Sequence, residues 1–347
     1  MVGRASALLA TPRAAAFAAL GVWLSVYFAA HESLVDLSLW WEVAFLGLVL
    51  MPAVFALIWL ALPYHNATGV IWLAVAFLAL SVVLEAAGLE AFANFAKLGL
   101  MTSLGFWFLS FFESVLWVAT VALVIPIVDS FSVWRGPTRH IVEEEPQIFD
   151  VFSFAFPFTG EASSANLGLP DLLFFALFLA AAARWRLRVG WTWIALTASI
   201  GLTMTLAVAW DVSGLPALPG LAFAFLLPNA DLLWAAFVRW RRLRRLSARD
   251  TDLIRRWLVA AVHGPFFPDG EFRTRMGMTR SEMKGVVRSW PDSGAPVAQD
   301  LAVNNVLVNL LGYPHDEGQA WRDYIAVEPK EVASVLARWR GEPEENR

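Results

Sequence analysis

The chain has 347 residues, 58% hydrophobic and only 16% charged, which excludes an ordinary soluble domain. It has no Cys, and this excludes a disulfide framework and a thiolate nucleophile; its five His show no close ligand spacing, so neither a metal nor a cofactor is expected. The net charge of −4 says little about partners because the basic residues are clustered, whereas 18 Trp and 26 Phe suit a surface that meets lipid and its interfaces.

Arg4 and Arg13 precede a first apolar stretch that lacks a good small-residue cleavage site, so an uncleaved first span is expected. A spanning helix needs about 20 mostly apolar residues. By that ruler the spans fall near 14–30, 40–62, 69–88, 91–111, 113–134, 169–185, 190–210 and 216–238, with room for a ninth in the charge-poor N-terminal half. Lys/Arg placement orients them. Arg184, Arg186 and Arg188 lie between the sixth and seventh spans, and Arg239, Arg241, Arg242, Arg244 and Arg245 follow the eighth. The positive-inside rule makes both clusters cytoplasmic, leaves loop 135–167 external and puts the N-terminus inside. Such a protein belongs in the plasma (cytoplasmic) membrane, in contact with lipid.

After residue 245 the chain becomes charged, and 246–347 reads as a small cytoplasmic α-helical domain with no partner indicated. Helix signals occur near 250–262, 279–290, 298–311 and 329–340. Thr279 with Glu282 makes a capping box, and Gly312 with Pro314, and Gly341, are stops. The fold class is therefore all-α: a polytopic helical bundle over 1–245 with a soluble helical appendage.

Two acids stand out because a carboxylate facing hydrocarbon is costly and marks a functional candidate. Asp129 ends the apolar run from Val121, and Asp171 opens another that continues to Ala183. Two carboxylates held together share one proton: one accepts a proton from water while the other donates to a carbonyl oxygen, which suffices to hydrolyse an amide.

The surrounding residues resemble a known family, the presenilins and signal peptide peptidases. Val128-Asp129 and the stretch to Glu144, with its Arg135-Gly136-Pro137 step, look like the family's Tyr-Asp motif and the segment after it. Gly168-Leu169-Pro170-Asp171 looks like its Gly-x-Gly-Asp motif, and Pro216-Ala217-Leu218 matches its Pro-Ala-Leu motif, all in the family's order. The resemblance covers about residues 113–235. It implies an intramembrane aspartyl endopeptidase, with Asp129 and Asp171 catalytic. Gly168, Leu169, Pro170, Pro216, Ala217 and Leu218 would shape the site, transmembrane helices or signal-peptide remnants would be substrates, and neither metal nor cofactor is needed. An unwound substrate would be gripped by strand pairing. Asp171, in a helix's first turn, is the candidate general base. The aromatics Phe149, Phe152, Phe154 and Phe156 suggest an added strand or an interfacial gate.

Two positions depart from the family. Val128 replaces the Tyr, and Pro170 replaces the second glycine, removing a donor where backbone would approach substrate. Pro170 is the main support for the alternative, a non-catalytic scaffold or receptor that binds transmembrane helices. Other acids have blander readings: Glu42, Glu85 and Glu113 as polar packing, Asp231 beside Asn229 as interhelical hydrogen bonding, Asp211 as an external turn. The basic stretch Arg273–Arg288 reads as a solvated helix face, so no nucleic acid is expected.

Overall fold

The computed structural model describes residues 12–135, 152–210, 212, 215–291, 296–313 and 318–342. They form two compact units, one up to Ala230 and one from Asp231 onward. Both are built almost wholly of α-helix; the sheet is a single two-stranded hairpin.

The first unit contains α1 (Pro12–Ala30), α2 (Leu39–Tyr64, with a wide turn at Leu46–Leu50), α3 (Val70–Ala86), α4 (Glu90–Leu109) and α5 (Val115–Arg135). The hairpin β1 (Ser153–Pro157) and β2 (Ser164–Gly168) follows, then α6 (Leu169–Arg184), α7 (Val189–Ala209) and α8 (Leu218–Leu226). Helix is present in each of the eight expected intervals, the last divided between α8 and the helix that begins at Ala230. Among the described residues four stretches are long and apolar enough to cross a membrane: Pro12–Ser33, Leu39–Tyr64, Val189–Ala209 and Leu218–Leu243. The others fall short for visible reasons. α3 and α6 have 17 and 16 residues, and α4 carries Asn94, Lys97, Thr102 and Ser103 on its buried face.

Contacts sort the helix ends into two layers. In one, guanidinium groups bond carbonyls at or near helix ends, where the negative dipole end attracts them. Arg13 donates to Trp59 O (2.6 Å) and Leu60 O (3.2 Å), Arg184 to Leu109 O (2.8 Å), and Arg188 to Pro228 O (2.6 Å). In the opposite layer the hairpin docks. Tyr27 Oη–H donates to Pro157 O (2.9 Å), Gly160 N–H to His31 O (2.8 Å), and Ala155 N–H to Asn94 Oδ1 (3.2 Å). Thr159 donates its N–H to Glu42 Oε1 (3.0 Å) and its hydroxyl to Oε2. Successive helices therefore alternate in direction.

α6 is the central helix, with Phe175 through Ala182 fully buried, as expected of a helix apolar all round. Phe175 stacks on Phe55 (centroids 4.4 Å apart) and Phe178 on Phe225 (4.9 Å). The aromatic alternation before α6 enters β1 with Phe154 and Phe156, while Phe152 just precedes the strand and is exposed on the cavity lining. Phe154 and Phe156 are fully buried, against Phe28 and Phe55, because the hairpin packs inward. Phe149, Asp211 and the stretch from Gly136 to Glu144 lie outside the described residues.

The second unit holds α9 (Ala230–Leu243), α10 (Ala248–His263), α11 (Asp269–Met276), α12 (Arg280–Ser289), α13 (Pro296–Gly312) and α14 (Pro329–Arg340). Its core includes Ile254, Trp257, Met283, Val306 and Trp339. The Thr279–Glu282 capping box is present, and Gly341 ends α14 at φ 76°. A second box, Ser247 with Asp250, starts α10.

Asp250 ties the ends of this unit together. Arg338 donates to its Oδ1 (2.8 Å) and Oδ2 (3.2 Å), and Ser247 N–H to Oδ2 (2.9 Å). Burial alone would push this carboxyl up, but the hydrogen bonds from Arg338 and Ser247, with the guanidinium charge, hold it below the usual carboxylate range. A depressed carboxyl stabilises the fold above its unfolded value, about 3.9, and loses that stabilisation as pH falls through the folded value. Arg338→Ala should cost about 2–3 kcal/mol at neutral pH, below the value for a fully buried pair because Arg338 is 30% exposed. Hydrogen exchange of the α10 and α14 amides checks this. A deficit that stays unchanged as the pH falls through the range in which the folded protein takes up the Asp250 proton would rule out the pairing as its cause.

Candidate functional site

α5 carries Asp129 about two turns before its end, beyond Pro126, which removes one helical N–H. The half-buried Asp129 carboxylate reaches the start of α8, where Leu218 N–H donates to its Oδ2 (3.2 Å). That N–H has no helical partner of its own, and a negative charge suits the positive end of the helix. Pro216 and Ala217 lead into this turn, and Pro219 follows in it, so the acid meets the helix at its proline-flanked start.

Asp171 lies in the first turn of α6, whose N-cap is Gly168. Gly168 N–H donates to the Asp171 carboxylate. A Cβ on Gly168 would stand 3.1 Å from Asp171 Oδ2, so a side chain there would crowd the acid. Pro170 occupies the first turn of the same helix, where a missing N–H leaves no hydrogen bond unmade. The departure at this position is therefore compatible with the helix start. Val128 is exposed and does not line the cavity described next.

All eight residues singled out from the sequence open onto one cavity of about 1710 Å³ in the first unit. Asp129, Asp171 and Leu218 are joined there by Gly168, Leu169 and Pro170 from the β2–α6 junction and by Pro216 and Ala217. Both carboxyl groups belong to the lining of this one cavity. Each accepts one backbone N–H at a helix start, Asp129 from Leu218 and Asp171 from Gly168.

The cavity exceeds the 300–1,000 Å³ or so of small-ligand pockets, and its walls are mostly apolar. Strand β2 lines it along its whole length, Ser164 to Gly168, while its other edge pairs with β1 in antiparallel register, Phe154 opposite Leu167. Among the described residues no three His, Asp or Glu side chains converge as metal ligands would.

Of the other acids, Glu85 also lines the cavity, whereas Asp231 does not and is exposed; its neighbour Asn229, fully buried, bonds Thr192 (2.9 Å), Phe225 O and the Arg188 N–H. Glu42 is the buried anchor of the hairpin turn. Sequence reasoning missed Lys97, which pairs with Glu85 at 3.2 Å in the cavity wall. The one signal available was a lone Lys in the apolar stretch Phe92–Leu104. Comparison of this chain with protein-family models, curated proteins and solved structures finds no match.

Proposed function

We propose that the chain is a presenilin-like intramembrane aspartyl protease that cuts transmembrane helices. The observation that carries this reading is one cavity that unites Asp129, Asp171 and the backbone of the Pro-Ala-Leu motif. In this reading one carboxyl takes a proton from water as the water attacks the peptide carbonyl. The other gives its proton to the carbonyl oxygen, and the roles reverse on collapse. A helix hides its amides in its own hydrogen bonds and must unwind first. The edge of β2 beside Asp171 offers the unwound segment a pairing partner. Eight crossings, with the hairpin layer external and the second unit cytoplasmic, agree with the arginine-capped layer being the inner one. The substrates are single transmembrane helices or signal-peptide remnants, in the plasma membrane.

The competing reading, a helix-binding scaffold without catalysis, is favoured by Pro170 in place of glycine. Incubating the purified chain in lipid with a single-helix reporter separates the two. A protease yields two fragments, and a peptide isostere bearing a transition-state hydroxyl stops it. A scaffold leaves the reporter whole and ignores the isostere.

A further inference from the structure

The cavity has a second polar feature, on the wall formed by α3 and α4. These helices are joined by a tight turn at Gly88, whose φ of 71° is readily adopted only by glycine. Leu89 N–H returns to Leu84 O (2.9 Å) across it. The turn sets the end of α3 beside the start of α4 and brings Lys97 Nζ to 3.2 Å from Glu85 Oε1. The pair is asymmetric. The Lys97 side chain is 8% exposed, whereas that of Glu85 is 38% exposed. Lys97 is thus a buried counter-charge, and Glu85 presents the pair to the cavity.

Among the described residues lining the cavity, the ionisable ones are Glu85, Lys97, Asp129 and Asp171. Glu85 and Lys97 offset each other's charge, so ionisation of either aspartate makes the lining net negative. An occupant of purely hydrocarbon side chains would strip water from Glu85 and return nothing for it. A carboxylate has about four acceptor positions, and Lys97 satisfies only part of them. An occupant bearing an ammonium or guanidinium opposite Glu85 replaces the lost water with a charge-assisted hydrogen bond.

We propose that Glu85, held in place by Lys97, is a recognition subsite for a basic side chain in the bound transmembrane segment. The proposal rests on the reading above only in taking a membrane helix as the cavity's occupant. Glu85 determines specificity; it touches no reacting atom. Lys97 acts through it, as a positioning residue.

Binding of fluorescent reporter helices to the full-length chain in nanodiscs tests this. The reporters are identical except for one residue, Lys, Leu or Glu, scanned through the segment nearest the cavity's Glu85 wall. At one position or more, the Lys reporter should bind at least about tenfold tighter than the Glu reporter, or about 1.4 kcal/mol. Glu85→Gln should erase the preference. The exchanged pair Glu85→Lys with Lys97→Glu keeps an ion pair in the wall, guarding against misfolding, and should invert the ranking. Equal affinities at every position in the native chain, or an unchanged ranking in the exchanged pair, overturn the proposal. A chain that ranks the reporters by charge but leaves them uncut overturns the protease reading alone. A chain that cuts them without ranking overturns this inference alone.

Discussion

Asp129→Asn and Asp171→Asn should each lower the cleavage rate of a reporter helix by about a hundred- to ten-thousand-fold, the range for losing a positioned acid or base. The double mutant should be scarcely worse than the poorer single, because in the proposed mechanism the two groups act as one proton-sharing unit. Asparagine is the informative replacement. Its amide oxygen can still accept from Leu218 N–H at position 129 and from Gly168 N–H at position 171, so the helix starts stay satisfied while the proton is lost. Helix content should therefore be unchanged. Measured rates within a few-fold of the native chain in either single mutant would end the two-carboxylate mechanism.

Glu42→Ala should be nearly as damaging to activity, although Glu42 touches neither aspartate. Glu42 is buried and accepts both donors of Thr159 at the hairpin turn. Removing the carboxylate leaves two buried Thr159 donors without an acceptor, at about 1–3 kcal/mol each. The hairpin then loses its seat, and with it the β2–α6 junction that holds Asp171. Gly160→Ala attacks the same seat differently. Gly160 has φ 76°, and a Cβ there would lie 2.6 Å from Asp36 N, a distance no real Cβ tolerates. Both variants should speed hydrogen exchange at the Phe154, Phe156 and Phe158 amides and slow cleavage together. Exchange at native rates in Glu42→Ala, with cleavage lost or kept, would separate the turn from the site.

The helices were legible because hydrocarbon length is a local property: a run such as Val189–Ala209 declares itself without reference to any partner. The site residues were legible for a related reason. Most sit at an element boundary marked by Gly or Pro, as in Gly168-Leu169-Pro170-Asp171 and Pro216-Ala217-Leu218, while Asp129, inside α5, was marked by the apolar run before it. What stayed hidden depends on pairing over distance. Glu42 meets Thr159 more than a hundred residues away, and nothing near either residue announces the other. Lys97 looked like an isolated charge until the Gly88 turn delivered Glu85. The short α11, eight residues beginning after Pro268 without a side-chain cap, carried too little periodicity to be read.

Gly168 is at once the last residue of β2 and the N-cap of α6, so no spacer intervenes between strand and helix. Extended chain advances about 3.3 Å per residue. A guest peptide aligned along β2 would be metered against Asp171 in steps of that size, and a slip of one step would bring a different bond to the acid. The junction would act as a gauge: alignment upstream, more than side-chain fit, would decide where a cut could fall.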